Sequence, residues 1–297
     1  MKGKIYMQGL VQEVYEKVIG RKSEILMIIS ALQADRHLFM EGPPGTSKST
    51  ILRAICESTG IPFNLITGNS DLTTSKLVGY FDPAQTLCQG YKPECFNAGP
   101  LVQAMTEGMY LYVEEFNRMP DETTNVFVTV MSEHRLYVPR FGMVESHPNF
   151  RIVAALNPLD EIGISRISRA LKDRFCSFKM DYQLRSEEIE ILRNYAKNEA
   201  EEIIELAVDI ARETRWHPDL KLGASIRASI DMVKIYSEAV NILNDSSGKE
   251  LDYTRQELLL KSAMMAFRNR IWLYETCEKT PEQIIEEIFH RLQLKKK

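Results

Sequence analysis

Residues 38–57 constrain the fold of this chain more than any other stretch. A short apolar run, Leu38-Phe39-Met40, leads into Glu41-Gly42-Pro43-Pro44-Gly45-Thr46-Ser47-Lys48-Ser49, and a helix-like segment, Thr50 to Glu57, follows. In a strand, Gly-rich turn and helix joined this closely, the loop N–H groups and the helix N-terminus converge on one point. There they attract an anion, and Lys48 adds a full positive charge. The hydroxyl of Ser49 suits a Mg²⁺ that bridges phosphates. Residues Gly42, Pro43, Pro44, Gly45, Thr46, Ser47, Lys48, Ser49 and Thr50 are therefore candidate polyphosphate contacts. Ser47 stands where the pattern GxxxxGK[ST] has its last glycine. A left-handed backbone there would cost a non-glycine residue about 1–2 kcal/mol, and Pro43 and Pro44 help fix the preceding turn. An ordinary Gly/Pro turn capped by a serine is the competing reading, and the coincidence of strand, loop, Lys-Ser and helix weighs against it.

A chain of 297 residues is too long for one small domain and suits one large domain or two. Its 44% hydrophobic and 26% charged residues are those expected of a soluble globular protein. The net charge of −4, from 37 basic and 41 acidic residues, argues against general affinity for nucleic acid. Five cysteines (Cys56, Cys88, Cys95, Cys176, Cys277) form no CxxC pair and have no zinc-spaced histidine. Idle thiols in a reducing cytosol are the expectation. The N-terminus lacks a basic-then-apolar signal pattern, and no apolar run approaches the ~18 residues of a membrane span.

Taken in order, residues 8–33 show apolar positions at helical spacing, broken at Gly20, with Ser23 the expected N-cap of the second helix. Val18, Ile19 and Gly20 lie just upstream of the phosphate loop. They form either an apolar rest for an adenine ring or a simple helix–helix turn. Pro62 to Ile66 is a second expected strand. Residues 69–99 are polar and irregular, with Gly79, Pro83, Gly90, Pro93 and Gly99, and are either a functional, mobile segment or a plain connecting loop. The strand Met109 to Val113 ends in Glu114-Glu115. Downstream of a phosphate loop, one carboxylate suits the Mg²⁺ shell and the next suits polarising a water.

A helix is expected over 121–133, a β-hairpin over 135–145, and a strand over 150–156 ending in Asn157-Pro158. Asn157 can hydrogen-bond a water or a γ-phosphate, or can simply start a turn. A polar stretch, 160–172, precedes Asp173-Arg174-Phe175 and a strand from Cys176 to Tyr182. Beyond Leu184 amphipathic helices dominate, near 186–197, 199–214, 225–243, 253–274 and 281–294, with Ser186 and Thr280-Pro281-Glu282 as helix starts. The expected fold class is α/β: an αβα nucleotide domain with a mainly parallel sheet over 1–184, then a small all-α domain over 185–297. Residues 69–99 and the hairpin 135–145 are insertions in the first. The basic tail Lys295–Lys297 is the expected solvated end.

Together these segments resemble an AAA+ ATPase of the MoxR group over nearly the whole chain. GPPGTSKS is similar to its Walker A motif, and YLYVEEFNRMP to its Walker B segment. CFNAGPL resembles the segment preceding that strand, and SEHRLYVPRFG resembles the inserted hairpin. RIVAALNP is similar to the sensor 1 strand, ALKDRF to the arginine-finger segment, LGASIRA to the sensor 2 helix and AFRNRIWL to a lid helix. The resemblance implies a P-loop domain with a helical lid, in a homo-oligomer, usually a hexameric ring, that binds ATP and Mg²⁺. Lys48 would contact the β- and γ-phosphates, while Ser49 and Glu114 hold the metal. Ile19 and Gly20 would line the adenine, Glu115 activate water, and Asn157 position it. Arg227 would read the nucleotide from the lid, and Arg174 would act in trans, with Arg169 as the second choice. Glu114 stands where the family has aspartate, and with Ser47 it points to low turnover.

The resemblance further implies a chaperone-like remodeller working with a von Willebrand factor A domain partner on a client protein, a complex or a metalloenzyme. The alternative is a nucleotide-gated oligomeric scaffold with little or no turnover. A DNA-stimulated motor is disfavoured by the net charge and by the lack of an aromatic-plus-basic patch.

Overall fold

Period-two alternation in the central strands sends their side chains into two separate cores, one on each face of a parallel sheet. In the computed structural model, which describes residues 2–158, 167–245 and 253–295, the N-terminal elements are α1 (Lys2–Lys17), α2 (Lys22–Gln33), β1 (His37–Glu41), α3 (Lys48–Thr59) and β2 (Phe63–Thr67). Next come α4 (Thr74–Val78), β3 (Gly79–Phe81), α5 (Pro83–Gln89), β4 (Phe96–Ala98), α6 (Pro100–Glu107) and β5 (Tyr110–Glu114). The first half closes with α7 (Asp121–Glu133), β6 (Arg135–Val138), β7 (Gly142–Glu145), β8 (Arg151–Leu156), α8 (Arg169–Lys172) and β9 (Phe175–Lys179).

Among the described residues five strands form one sheet in the order β2-β5-β8-β1-β9, all pairs parallel. On one face Leu38, Met40, Tyr110, Tyr112, Val153 and Ala155 pack against α1, α2 and α3. On the other, Phe39, Leu111, Val113, Ile152 and Ala154 pack against α4, α6 and α7. The strands carry apolar residues on both sides because both sides are covered.

His37 opens β1 within this core. Its Nδ1 accepts the Ile152 N–H at 2.9 Å, and Phe150 and Phe175 stand edge-on to the ring. Burial, with smaller contributions from His134 and Arg36, pushes its pKa down to about 4. The folded state therefore holds His37 neutral where the unfolded chain protonates it. The resulting stability is whole above pH 6.5 and is lost as pH falls from 6.5 towards 4. At pH 4.5 the loss reaches about 2.5 kcal/mol. Denaturant unfolding at pH 7 and pH 4.5 should show the drop shrinking by that amount in His37→Gln, and an equal drop in both proteins would refute it.

The sequence reading needs three corrections. Ser23 is not the N-cap of α2: Arg21 holds that place, with φ 62° and no side-chain cap bond. Its guanidinium pairs with Glu24 and donates to the Asp181 carbonyl. Residues 69–99 are not irregular, since α4, α5 and an antiparallel β3–β4 ribbon fill them. Thr73 caps α4 and Asp82 caps α5, each through its side-chain oxygen. Phe81, Tyr91 and Phe96 cluster there, and Phe96 stacks on Phe141 of the β6–β7 hairpin at 4.4 Å between ring centroids. The expected helix 253–274 ends at Phe267, as described below. Residues 160–166 of the polar stretch, and Lys296 and Lys297 of the tail, lie outside the described residues.

The chain divides into two compact units, Met1–Pro43 with Ser47–Asp181, and Pro44–Thr46 with Tyr182–Lys297. The second carries α9 (Arg185–Tyr195), α10 (Glu201–Arg215), β10 (Leu220–Leu222), α11 (Ile226–Asp245), α12 (Arg255–Phe267), β11 (Trp272–Leu273) and α13 (Pro281–Lys295). Its helices share one apolar core built on residues such as Leu206, Met232, Phe267 and Ile288. Beyond Phe267 the chain turns through a short 3-10 segment into β11, which pairs antiparallel with β10. Inside this unit buried Glu188 accepts from Arg212 at 3.0 Å and Arg215 at 2.7 Å, so its charge is matched where water is absent. No helix among the described residues is long and apolar enough to cross a membrane.

Candidate nucleotide and metal site

The phosphate-loop segment leaves the sheet at the carboxyl end of β1. Gly42 extends the pairing, its N–H donating to the Leu156 carbonyl at 3.2 Å. A Cβ at Gly42 would collide with the Met180 carbonyl oxygen, which explains glycine at the first position of the loop. Gly45 lies in the turn with φ 76°, and Ser47 adopts φ 67° and ψ 17° at the N-cap of α3. This is the left-handed conformation that the missing glycine would have taken freely, at the ~1–2 kcal/mol cost given above.

Lys48 and Ser49 follow in the first turn of α3. The Lys48 ammonium donates to the carbonyls of Gly42 and Pro43 at 2.8 Å each, so the charge sits over the loop's own backbone. Ser49 Oγ donates to Glu114 Oε1 at 2.5 Å. These two residues are 65 positions apart and meet because α3 packs on the β5 face that Glu114 closes. Thr50, in the same turn, is exposed.

Glu114 and Glu115 point to different places. Glu114 ends β5 in register with Thr67, whereas Glu115 turns left-handed, φ 52° and ψ 42°. Gly68 makes that turn possible: its N–H donates to the Glu114 carbonyl at 2.7 Å, and any Cβ there would strike the Glu115 carbonyl. The Glu115 carboxylate pairs with Arg118 at 3.2 Å, both side chains about 40% exposed. A pair so exposed contributes at most about 1 kcal/mol, so it leaves the carboxylate able to turn to another partner.

Asn157 follows β8, between β5 and β1, one residue past the Leu156 that pairs with Glu41. Three adjacent parallel strands thus end together and place Gly42, Glu114, Glu115 and Asn157 along one rim, where ligands bind in such sheets. Hard oxygen donors, a hydroxyl and a carboxylate, suit Mg²⁺, and a cationic loop at a helix N-terminus suits polyphosphate. The residues present fit both groups.

The other expected residues are carried by other elements. Ile19 and Gly20 occupy the turn between α1 and α2, where Gly20 has φ 69° and neighbouring Val18 is buried in the core. Arg174 precedes β9, whose Phe175 pairs with His37 at the start of β1. It therefore sits at the amino end of the strands, about 16 Å of strand away from the loop of its own chain. Its Nε donates to Ser132 Oγ and its guanidinium to the Ala170 carbonyl, both at 2.6 Å. Arg169 is exposed at the start of α8. Arg227 is exposed in the first turn of α11, in the second unit.

Sequence reasoning missed Tyr112. It is 1% exposed, and its hydroxyl lies 3.3 Å from Ser49 Oγ, the oxygen that donates to the Glu114 carboxylate. Burial raises its pKa well above that of an ordinary phenol. The signal was available, because residues two apart on a strand share a face and Tyr112 precedes Glu114 by two. Gly68 and Arg118 carried no comparable signal.

Comparison with known proteins agrees with this geometry. Residues 37–175 match the family model described as AAA domain (dynein-related subfamily). Uncharacterized proteins of Staphylococcus epidermidis and Staphylococcus saprophyticus are 28% and 29% identical to the chain, over 67% and 68% of it and 78% and 79% of their own lengths. A Cytophaga hutchinsonii protein described as a candidate ATPase superposes with a TM-score of 0.53 at 19% identity, covering 96% of this chain and 93% of that one. A RuvB variant of Thermotoga maritima superposes at 0.56 and 15% identity, over 85% and 72%. These likenesses carry the fold: a P-loop α/β sheet with a helical C-terminal region. Over residues 37–175 this chain is similar to the AAA domain of the dynein-related subfamily.

Proposed function

We propose that the chain binds and hydrolyses ATP in the manner of MoxR-type AAA+ proteins, and works as a chaperone-like remodeller of a protein complex or metalloenzyme. The observation that carries the ATPase reading is the Ser49–Glu114 contact beside the Lys48 loop. Glutamate in place of aspartate still reaches the serine, which a site abandoned by function would have no reason to keep.

In the proposed reaction Lys48 and the loop N–H groups hold the phosphates, and Ser49 and Glu114 hold the metal. Mg²⁺, when bound, supplies charge neutralisation across the phosphates. Glu115 swings from Arg118, accepts a hydrogen bond from the attacking water and takes up its proton as the water oxygen bonds to the γ-phosphorus. Asn157 orients the same water. The bond from the γ-phosphorus to the β–γ bridging oxygen breaks, leaving ADP and phosphate.

Arg174, at the far end of its own strands, is assigned to a neighbouring copy's γ-phosphate. That arrangement requires a homo-oligomer, proposed as a hexameric ring. Arg227 is assigned to nucleotide sensing from the lid, and Ile19 with Gly20 to the adenine. The α4–β4 excursion and the β6–β7 hairpin are the proposed contacts for a client and for a von Willebrand factor A domain partner. The proposed compartment is the cytoplasm, consistent with five free cysteines.

Steady-state ATPase assays with Mg²⁺, run beside light scattering with and without ATP, test this. The expected result is turnover with an ATP-dependent rise in mass, and in Arg174→Ala a rise in mass with turnover lowered at least tenfold. Assembly without turnover in the wild type would favour the nucleotide-gated scaffold. A monomer in ATP would refute the trans assignment of Arg174.

A further inference from the structure

We propose that Tyr112 is a positioning residue for the metal half of the site: its hydroxyl fixes Ser49 Oγ, which donates to the Glu114 carboxylate, so that the two present a fixed pair of oxygens to Mg²⁺. The proposal rests on the ATP-and-Mg²⁺ reading above and assigns a role to a Walker B-like strand residue that the sequence reading left without one.

Tyr112 and Glu114 project from the same face of β5. The Tyr112 ring is fixed among Tyr110, Ile51 and Leu52 in the core against α3. A phenylalanine would fill that volume equally well. A hydroxyl taken into such a core costs free energy unless it is hydrogen-bonded, and here its partner is Ser49. Ser49 in turn donates to Glu114 at 2.5 Å. Three oxygens from α3 and β5 thus close on one another, with the aromatic ring as their rigid support.

A glutamate has one more rotatable bond than an aspartate, so its carboxylate has more freedom to lose before it can serve as a ligand. Ser49 Oγ donates its one proton to Glu114, and the phenol, held by a packed ring, donates to the serine oxygen and so fixes the direction in which that proton points. Groups that orient metal ligands from behind typically change metal affinity about ten- to a hundredfold when removed.

The test measures Mg²⁺ affinity by calorimetry in protein saturated with a non-hydrolysable ATP analogue. It uses wild type, Tyr112→Phe, Glu114→Asp and the double variant. Analogue affinity in EDTA and the thermal midpoint are followed alongside. Tyr112→Phe should weaken Mg²⁺ about ten- to a hundredfold while metal-free analogue affinity stays within about twofold. In the Glu114→Asp background, where the shorter side chain draws back from Ser49 Oγ, the same change should cost under about threefold.

Equal Mg²⁺ affinity in wild type and Tyr112→Phe would overturn the proposal. So would an equal loss of metal-free analogue affinity, which would mark a general structural role, and so would additivity in the double variant. Wild-type protein that binds the analogue without any response to Mg²⁺ would overturn the parent reading and this one with it. That failure is distinguishable because it appears before any substitution is made.

Discussion

Glu115→Gln should lower ATP turnover about a hundred- to ten-thousandfold, the range lost when a general base is removed, while ATP remains bound. Phosphate release and the nucleotide content of the recovered protein measure the two halves of that expectation. The substitution is nearly isosteric and leaves the backbone demand unchanged, since residue 115 must still occupy φ 52° above Gly68. What it removes is charge and basicity. Loss of the exposed pair with Arg118 adds little to the outcome. Turnover like that of the wild type would show that Glu115 does not activate the water.

Lys48→Ala should abolish measurable nucleotide binding, a loss of at least about a hundredfold if the ammonium makes two charge-assisted bonds to phosphate worth about 1.5–3 kcal/mol each. The fold should survive, because Lys48 contacts the Gly42 and Pro43 carbonyls at the rim rather than the core. Titration calorimetry reads the affinity. A thermal shift with ATP, present in wild type and absent in the variant, gives an independent reading. Unchanged affinity would remove the loop from the site.

The parts of the fold legible in the sequence are those with a long period and a buried partner on each side. The strand over 150–156 and the helix over 121–133 lie within a residue of β8 and α7, because apolar alternation and a polar-faced helix leave few other solutions. Residues 69–99 resisted the same treatment for a physical reason. Their helices and strands are three to seven residues long, too short to show a period. They are held by Asp82 and Thr73 caps and by ring-on-ring contacts rather than by a stripe. The segment after Phe267 failed differently, since the apolar pattern runs on through Trp272 and Leu273 while the backbone leaves the helix at Arg268.

Within the site, the motif residues were visible, but their assembly was not. The resemblance put Ser49 and Glu114 on one metal, but their direct hydrogen bond depends on α3 lying on the Tyr112 side of the sheet. The left-handed Ser47 was foreseeable from the glycine it replaces. The left-handed Glu115 was not, because the condition for it, an absent side chain at Gly68, sits just past the end of another strand.

Helix α7 joins these local details. It starts just past the Glu115–Arg118 turn and runs 13 residues, about 20 Å, to Ser132, which holds Arg174, and to the β6–β7 hairpin. The hairpin in turn is clasped to the α4–β4 excursion through Phe96 and Phe141, with Arg140 lying 3.8 Å above Tyr91. That outer surface is therefore joined to the turn carrying Glu115 by one unbroken helix, with the serine that holds Arg174 at its far end.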